Sequence, residues 1–191
     1  LSFAHADLAL EDWLGDLHAA GDALGRLELQ PGGLKRKDRS YKWHRLLRPW
    51  VSHVAAAACG HPLTTLLVAE DVRLAFAPLR QADGQHLLRQ WLEAYVAGMQ
   101  APLPVAIRTV AAWFAQLDKS EDEDRAADAA RKVYQGDGHS TTGEVQQSAS
   151  LARQYPDFDA LLRDGQFAHW GAVLYQSLLD AEISELQDDQ P

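Results

Sequence analysis

Two acids and one amide lie on neighbouring predicted strands, in a spacing used by metal-dependent nucleases. Asp16 falls in a predicted strand over residues 13–18, and Glu28 and Gln30 end the next strand, over 25–29. Such enzymes place an acid on one strand and an acid-x-Lys on its neighbour, because carboxylates hold Mg²⁺ and the lysine orients or activates water. The lysine position is Gln30, a neutral amide. Two interpretations stay open: a magnesium site, or two ordinary outward-facing strand acids.

A cluster of cations follows these strands and is the candidate binding site. Eight Lys and Arg residues and two acids lie between Arg26 and Arg48, which gives this segment a net charge of +6 although the whole chain has −9. Segregation of this kind gives one surface a positive potential, suited to phosphates or to an acidic partner surface. A solvated loop that balances acidic neighbours is the alternative. The predicted DNA-contacting residues are Lys35, Arg36, Lys37, Arg39 and Lys42.

Other catalytic signatures are absent from the sequence. It contains no GxGxxG, GxxxxGK[ST], GxSxG or HExxH motif, and no two of its eight histidines have the three- or four-residue spacing of a metal pair on a helix. The lone cysteine, Cys59, excludes an intrachain disulfide and a cysteine zinc site. We therefore expect no catalytic residue, no metal ligand and no cofactor.

The elements that would position these residues are short strands, then a helix, then a hairpin, then helices. An apolar stripe at Trp43, Leu46, Leu47, Trp50 and Val54 has the helical period and places the cations on the opposite face. Asp38 or Ser40 can cap this helix, and Pro49 kinks or splits it. Strands are predicted over 7–10, 13–18, 25–29, 63–69 and 72–78, with a turn at 21–25 that makes the second and third strands a hairpin, as the last two are. Further helices are predicted over 85–99, 104–117, 118–134, 157–163 and 166–179, and a flexible loop over 136–150.

This order predicts the α/β class (α+β-like): a small mixed sheet with flanking helices and a helical C-terminal lobe. We expect a strand-rich core with one long helix over 1–80 and a helical lobe packed on it over 81–191, together one structural domain. With 191 residues, 47% of them hydrophobic, the chain can bury a core, and it has no apolar run long enough to span a membrane. It begins without methionine and without a secretory signal, so we expect a piece of a longer cytoplasmic protein.

The order of several short motifs resembles the C-terminal region of the gamma subunit of exodeoxyribonuclease V, the RecC family. The resemblance extends from about residue 8 to residue 179, and the shared order of the motifs is more specific than any one of them. The motifs are LLRPWVSH at 46–53, PLPVA at 102–106, VAAW at 110–113, ARKVY at 130–134, YPDFDAL at 155–161 and FAHW at 167–170.

The resemblance implies a part of a helicase–nuclease complex that processes double-stranded DNA ends for recombinational repair. In that family the gamma subunit has no catalysis of its own, holds the beta (helicase–nuclease) and alpha (helicase) subunits together, helps part the strands and scans one of them. Its C-terminal domain is similar to a PD-(D/E)XK nuclease core whose active site is lost, with which Gln30 agrees. The implied partners are those two subunits and DNA ends or single strands, with no membrane.

Three functions therefore remain to be compared. The first is a non-catalytic domain for subunit assembly and DNA handling. The second is an active Mg²⁺-dependent PD-(D/E)XK-type nuclease that uses Asp16 and Glu28 with a lysine supplied from elsewhere, such as Lys35 or Lys37. The third is a purely protein-interacting domain whose cations meet an acidic subunit surface.

Overall fold

The computed structural model describes residues 1–21, 23–138 and 141–187, which form two compact units. The first unit comprises Leu1–Leu92 and the segment that begins at Asp180, and the second comprises Glu93–Leu179. The predicted turn at 21–25 includes Asp22, which lies outside the described residues, as do His139 and the C-terminal tail 188–191. The strand-rich unit thus runs to residue 92 and includes a C-terminal segment.

The first unit contains two β-sheets. A two-stranded antiparallel sheet is formed by β1 and β2, and a five-stranded mixed sheet has the order β3-β4-β5-β6-β7. Among the strand pairs of the described residues, the β4–β5 pair alone is parallel, and the segment between these two strands includes the helix α1. The strands are β1 Ser2–His5, β2 Leu8–Glu11, β3 Leu17–Ala20, β4 Ala23–Leu29, β5 Thr64–Val68, β6 Arg73–Phe76 and β7 Ile183–Leu186.

Register fixes which residues of the mixed sheet share a face. Glu28 of β4 pairs with Leu67 of β5, Leu67 with Leu74 of β6, and Leu74 with Glu185 of β7. Paired side chains point to the same side of a sheet. Glu28 and Glu185 therefore lie on one face, in a row whose two middle members are the fully buried Leu67 and Leu74.

Most of the remaining chain is helical. The helices are α1 Trp43–Ala58, α2 Gln81–Gln100, α3 Ile107–Ser120, α4 Glu123–Gln135, α5 Ala149–Gln154, α6 Phe158–Leu162, α7 Phe167–Gly171 and α8 Ser177–Leu179, with a 3₁₀ turn at Val145–Gln147 and a π-helical segment at Ala172–Gln176. None of the helices among the described residues is long and apolar enough to cross a lipid bilayer.

The core of the first unit lies between α1 and the mixed sheet. The predicted stripe of α1 is its buried face, with Leu46 and Val54 fully buried and Trp50 packed edge-on against Phe76. On the same helix His53 is 1% exposed and bonds Thr65 Oγ1 at 2.9 Å and the Ala77 carbonyl oxygen at 3.0 Å. Burial lowers the pKa of His53 to about 4. This histidine is therefore a neutral core residue at physiological pH.

The core of the second unit is aromatic. Tyr134, Phe158 and Phe167 are almost fully buried, and the Phe158 ring contacts the rings of the other two. The Tyr134 hydroxyl donates to the Tyr155 carbonyl oxygen at 2.6 Å. Burial raises the pKa of Tyr134 to about 12. The phenol therefore stays protonated and remains a donor throughout the physiological range.

Three expectations about local structure are wrong, and two strands were not predicted at all. Asp16 precedes β3 and has a φ of 59°, so it is not a strand residue. The cap expected from Asp38 or Ser40 is absent, because Lys42 is the N-cap of α1 and no side chain caps the helix. Of the two alternatives for Pro49, the split is excluded, since Pro49 lies inside one continuous helix. The span 136–150 is not simply a flexible loop, because Glu144 and Val145 are buried there. The strands β1 and β7 were not predicted.

The mixed α/β architecture itself is confirmed. The small mixed sheet and the long helix in the N-terminal half are both present, and helices make up most of the second half. The two predicted hairpins, β3–β4 and β5–β6, pair antiparallel as expected.

Candidate nucleic-acid interface

Residues 35–42, which we name the basic loop, form the folded-back second part of the connection from β4 to α1. Lys35 and Tyr41 pair as an antiparallel bridge, and the Arg36 N–H donates to the Ser40 carbonyl oxygen at 2.8 Å. Arg39 has a φ of 67°, the left-handed conformation that closes the turn. The Lys42 N–H donates to the Leu34 carbonyl oxygen at 2.8 Å, which seals the base of the loop.

Acids from two other elements hold this loop. Asp71, in the turn between β5 and β6, accepts the backbone N–H groups of Leu34 at 2.7 Å and Lys35 at 2.9 Å. Glu185 of β7 accepts the Lys35 ammonium at 2.7 Å and the Tyr41 hydroxyl at 2.9 Å. These two hydrogen bonds hold the pKa of Glu185 below its usual range, so it is ionised at neutral pH. The base of the loop is therefore fixed by carboxylates.

The five predicted cations all lie on this loop, but they divide into two groups. The Lys35 side chain is only 15% exposed and is paired with Glu185, while the Lys42 ammonium donates to the Gly33 carbonyl oxygen at 2.8 Å. Arg36, Lys37 and Arg39 are exposed, and their side chains make no hydrogen bond or ion pair within the described residues. Two of the cations thus shape the loop, and three present free positive charge.

Two further arginines extend the cationic surface along α1. Arg45 is exposed and donates to the Pro31 carbonyl oxygen at 2.7 Å. Arg48 is exposed one turn later and makes no bond within the described part of the chain. The exposed arginines of α1 therefore continue the charge of the loop.

A groove of about 710 Å³ lies beside Arg48 and carries an unusual aromatic residue. Its lining comes from the segment between β2 and β3, from Arg26 and from α1. Trp13 of that segment is 96% exposed, although a large apolar ring is normally shielded from water. The other lining residues are Asp12, Leu14, Gly15, Asp16, His44, Leu47, Val51 and Ser52.

The candidate magnesium ligands are not arranged as a metal site. Glu28 Oε1 accepts the Gln30 amide at 2.5 Å, and Glu28 Oε2 lies 2.8 Å from the guanidinium of Arg26. An arginine at this distance already balances the carboxylate charge that would attract Mg²⁺. Asp16 is exposed outside the strand, and no group of three His, Cys, Asp or Glu side chains among the described residues could hold a metal ion together. Glu28 and Gln30 are therefore bonded to each other, while Asp16 stands before β3, where its carbonyl oxygen accepts the Leu27 N–H at 3.2 Å.

The amino-acid sequence of this chain matches a known protein family. A family model described as the RecC C-terminal domain matches residues 1–118. The chain belongs to the RecC C-terminal domain family. RecBCD enzyme subunit RecC of Escherichia coli (strain K12) is 31% identical over 114 residues, which are 56% of this chain and 10% of that protein. The chain thus matches about a tenth of the length of that relative.

The match to the RecC C-terminal domain includes the basic loop, α1 and the groove beside Arg48, which we name the Trp13 groove. It also includes the bonded side chains of Arg26, Glu28 and Gln30, which we name the Arg26–Glu28–Gln30 row. Glu185 lies beyond it. Sequence reasoning found the five loop cations from their clustering but missed Asp71, Glu185 and Trp13. Trp13 was expected in a strand over 13–18, and nothing in its neighbours Asp12 and Leu14 indicated its exposure. Nothing local indicated Glu185, which meets Lys35 across 150 residues.

Proposed function

We propose that this RecC C-terminal domain handles DNA ends within a RecBCD-type helicase–nuclease, in recombinational repair, without cutting DNA itself. The observation that carries the proposal is the basic loop. The side chains of its three exposed cations make no hydrogen bond or ion pair within the described residues, although the whole chain has a net charge of −9. Phosphates are the ligands that unpaired Arg and Lys side chains on an otherwise acidic protein favour.

The Arg26–Glu28–Gln30 row supports a role without cleavage. A two-strand nuclease site needs a free carboxylate and a lysine on the same strand. Here the carboxylate is held by Arg26 and by the Gln30 amide, which stands at the lysine position. We infer a nuclease-like scaffold of the PD-(D/E)XK type that has lost its site. A parallel strand pair, β4 and β5, separated by the segment that carries α1, is compatible with such a scaffold.

The partners proposed for the intact subunit are those that the family resemblance implies. They are the beta (helicase–nuclease) and alpha (helicase) subunits, with double-stranded DNA ends and single strands, in the cytoplasm. The E. coli relative is named as a subunit of the RecBCD enzyme, which supports this assignment. Cofactors are not required for the proposed role.

Charge reversal in the basic loop tests the proposal. Binding of a fluorescent DNA duplex with one single-stranded end is measured by anisotropy for the wild type and for Lys37→Glu with Arg39→Glu. We expect at least tenfold weaker binding by the double variant. The matched control is Arg153→Glu with Arg163→Glu, which makes the same charge change at exposed positions of the second unit. Equal losses in both variants, or no loss in either, would contradict a DNA site on the loop.

A second candidate function, docking of a protein segment, is favoured by the Trp13 groove. Tryptophan and arginine are the residues that most often dominate protein interfaces. The groove contains both, with Leu47 and Val51 of α1 and two aspartates at its edge. A surface that carries both arginines and aspartates suits a protein partner better than a polyanion such as DNA. Trp13→Ala should then weaken co-purification with the beta or alpha subunit and leave DNA affinity unchanged.

The active-nuclease alternative makes the opposite prediction. It requires Mg²⁺-dependent cleavage of DNA by the purified chain that Asp16→Ala abolishes. We expect no cleavage that depends on Asp16, because this exposed residue lies outside the strand and Glu28 is engaged by Arg26.

A further inference from the structure

One carboxylate meets both ends of the basic loop. Glu185 Oε2 accepts the Lys35 ammonium at 2.7 Å and Glu185 Oε1 accepts the Tyr41 hydroxyl at 2.9 Å. Lys35 and Tyr41 are also the two residues that pair across the loop. A single side chain therefore closes the loop at its two ends, from a strand that lies 144 residues or more further along the chain.

The position of Glu185 is fixed by the sheet rather than by the loop. Glu185 pairs in register with Leu74, which is fully buried, in the antiparallel β6–β7 ladder. Asp71, in the turn that begins β6, binds the backbone of the loop at Leu34 and Lys35. The turn between β5 and β6 thus holds the start of the loop by its backbone through Asp71, and β7 holds two of its side chains through Glu185.

We propose that Glu185 is a positioning residue that holds the basic loop in the shape in which Arg36, Lys37 and Arg39 meet phosphates. The inference rests on the proposed DNA contact. A loop that is ordered before binding loses less conformational entropy when DNA arrives, so the same cations bind more tightly. The C-terminal strand β7, which belongs to the first unit, thereby supports the DNA-contacting loop.

Electrostatics and positioning predict opposite effects for this residue. Glu185 is an acid among cations, and Arg39 is close enough to help lower its pKa. Removal of its charge alone should strengthen attraction to DNA. Loss of its hydrogen bonds to Lys35 and Tyr41 should weaken binding. The sign of the change therefore separates the two roles.

Three variants of the full chain make the test. Glu185→Ala removes both the charge and the hydrogen bonds, whereas Glu185→Gln removes the charge and keeps an oxygen that accepts one of them. Glu182→Ala is the matched control, because Glu182 is exposed just before β7 and makes no bond to the loop. In the anisotropy assay we expect Glu185→Ala to bind DNA about fivefold more weakly than the wild type. Glu185→Gln and Glu182→Ala should bind as tightly as the wild type or more tightly.

The proposal is overturned if Glu185→Ala binds DNA as well as Glu182→Ala. Amide hydrogen exchange, measured without DNA, gives an independent readout. The Arg36 and Lys42 amides, which bond Ser40 and Leu34 oxygens, should exchange at least tenfold faster in Glu185→Ala and not in Glu182→Ala. Unchanged exchange also overturns the proposal. Charge reversal at Lys37 and Arg39 separates the two claims: if it leaves DNA binding intact, the DNA function fails while the exchange result still decides the role of Glu185.

Discussion

Acidification should destabilise this protein through His53, and the structure gives the size of the effect. The neutral ring is fully satisfied, because its Nε2–H donates to the Ala77 carbonyl oxygen while Nδ1 accepts from the Thr65 hydroxyl. Burial, helped by the charge of Arg26, lowers the pKa of His53 to about 4, although the hydrogen bond to the Ala77 carbonyl oxygen acts in the opposite direction. In the unfolded chain the pKa returns to about 6.5.

The sign follows from proton binding. Between pH 6.5 and 4 the unfolded state holds a proton on His53 that the folded state does not, so the free energy of unfolding falls as the pH falls. With these two pKa values, the titration of His53 lowers the free energy of unfolding by about 2.5 kcal/mol between pH 7.5 and pH 4.5. The loss then levels off below pH 4, where both states are protonated.

The assay is urea unfolding at a series of pH values, with His53→Gln as the reference. Glutamine fills a similar volume, can bond Thr65 and Ala77, and does not titrate. The difference in unfolding free energy between the wild type and this variant should shrink by about 2.5 kcal/mol from pH 7.5 to 4.5. If both proteins lose stability in parallel, His53 titrates as an ordinary solvated histidine and the reasoning is refuted.

Three further substitutions test the packing inside each unit and the exposure of Trp13 in its groove. Glu144→Gln should lower the free energy of unfolding by about 2 kcal/mol, because this buried carboxylate accepts the Thr109 N–H and hydroxyl at the start of α3, each at 2.8 Å; an unchanged urea midpoint would contradict this. Gly84→Ala should lower the free energy of unfolding by about 2 kcal/mol, since a Cβ at this position of α2 would lie 2.7 Å from the Ala58 backbone nitrogen. An unchanged melting temperature would contradict this, because α1 and α2 would then move apart without cost to accept the Cβ. Trp13→Ala should change stability by less than about 0.5 kcal/mol, and a larger loss would mean that the ring packs against the protein.

Much of the first unit could be predicted because its signals are local. The apolar stripe from Trp43 to Val54 repeats with the helical period. The two segments on either side of Glu70, residues 63–69 and 72–78, are rich in residues that favour strands. Both elements formed as their periodicity indicated. The clustering of the cations at 35–42 predicts one positively charged segment, but a helix cap at Asp38 or Ser40 predicts Lys42 on the helix, whereas α1 begins only at Trp43.

The remaining features depend on partners that are distant in sequence. Strand β7 is short and largely exposed, with a serine and a glutamate among four residues, so only its pairing with β6 makes it a strand. The positive φ of Asp16 is not encoded in strand propensity, and it moved the first predicted ligand out of the sheet. Glu144 shows the same limit, because a carboxylate in a Gly- and Ser-rich segment gave no sign that it would cap a helix 35 residues away.

The salt dependence of DNA binding by this chain tests the central claim most directly. The logarithm of the association constant for a duplex is measured against the logarithm of salt concentration for the wild type and for a variant with Arg36, Lys37 and Arg39 all changed to Gln. If the three exposed cations bind phosphates, the slope should become shallower by about 2.7, which is about 0.9 for each phosphate that the variant no longer neutralises. Parallel lines, with or without an offset in affinity, would mean that the basic loop does not bind the DNA backbone.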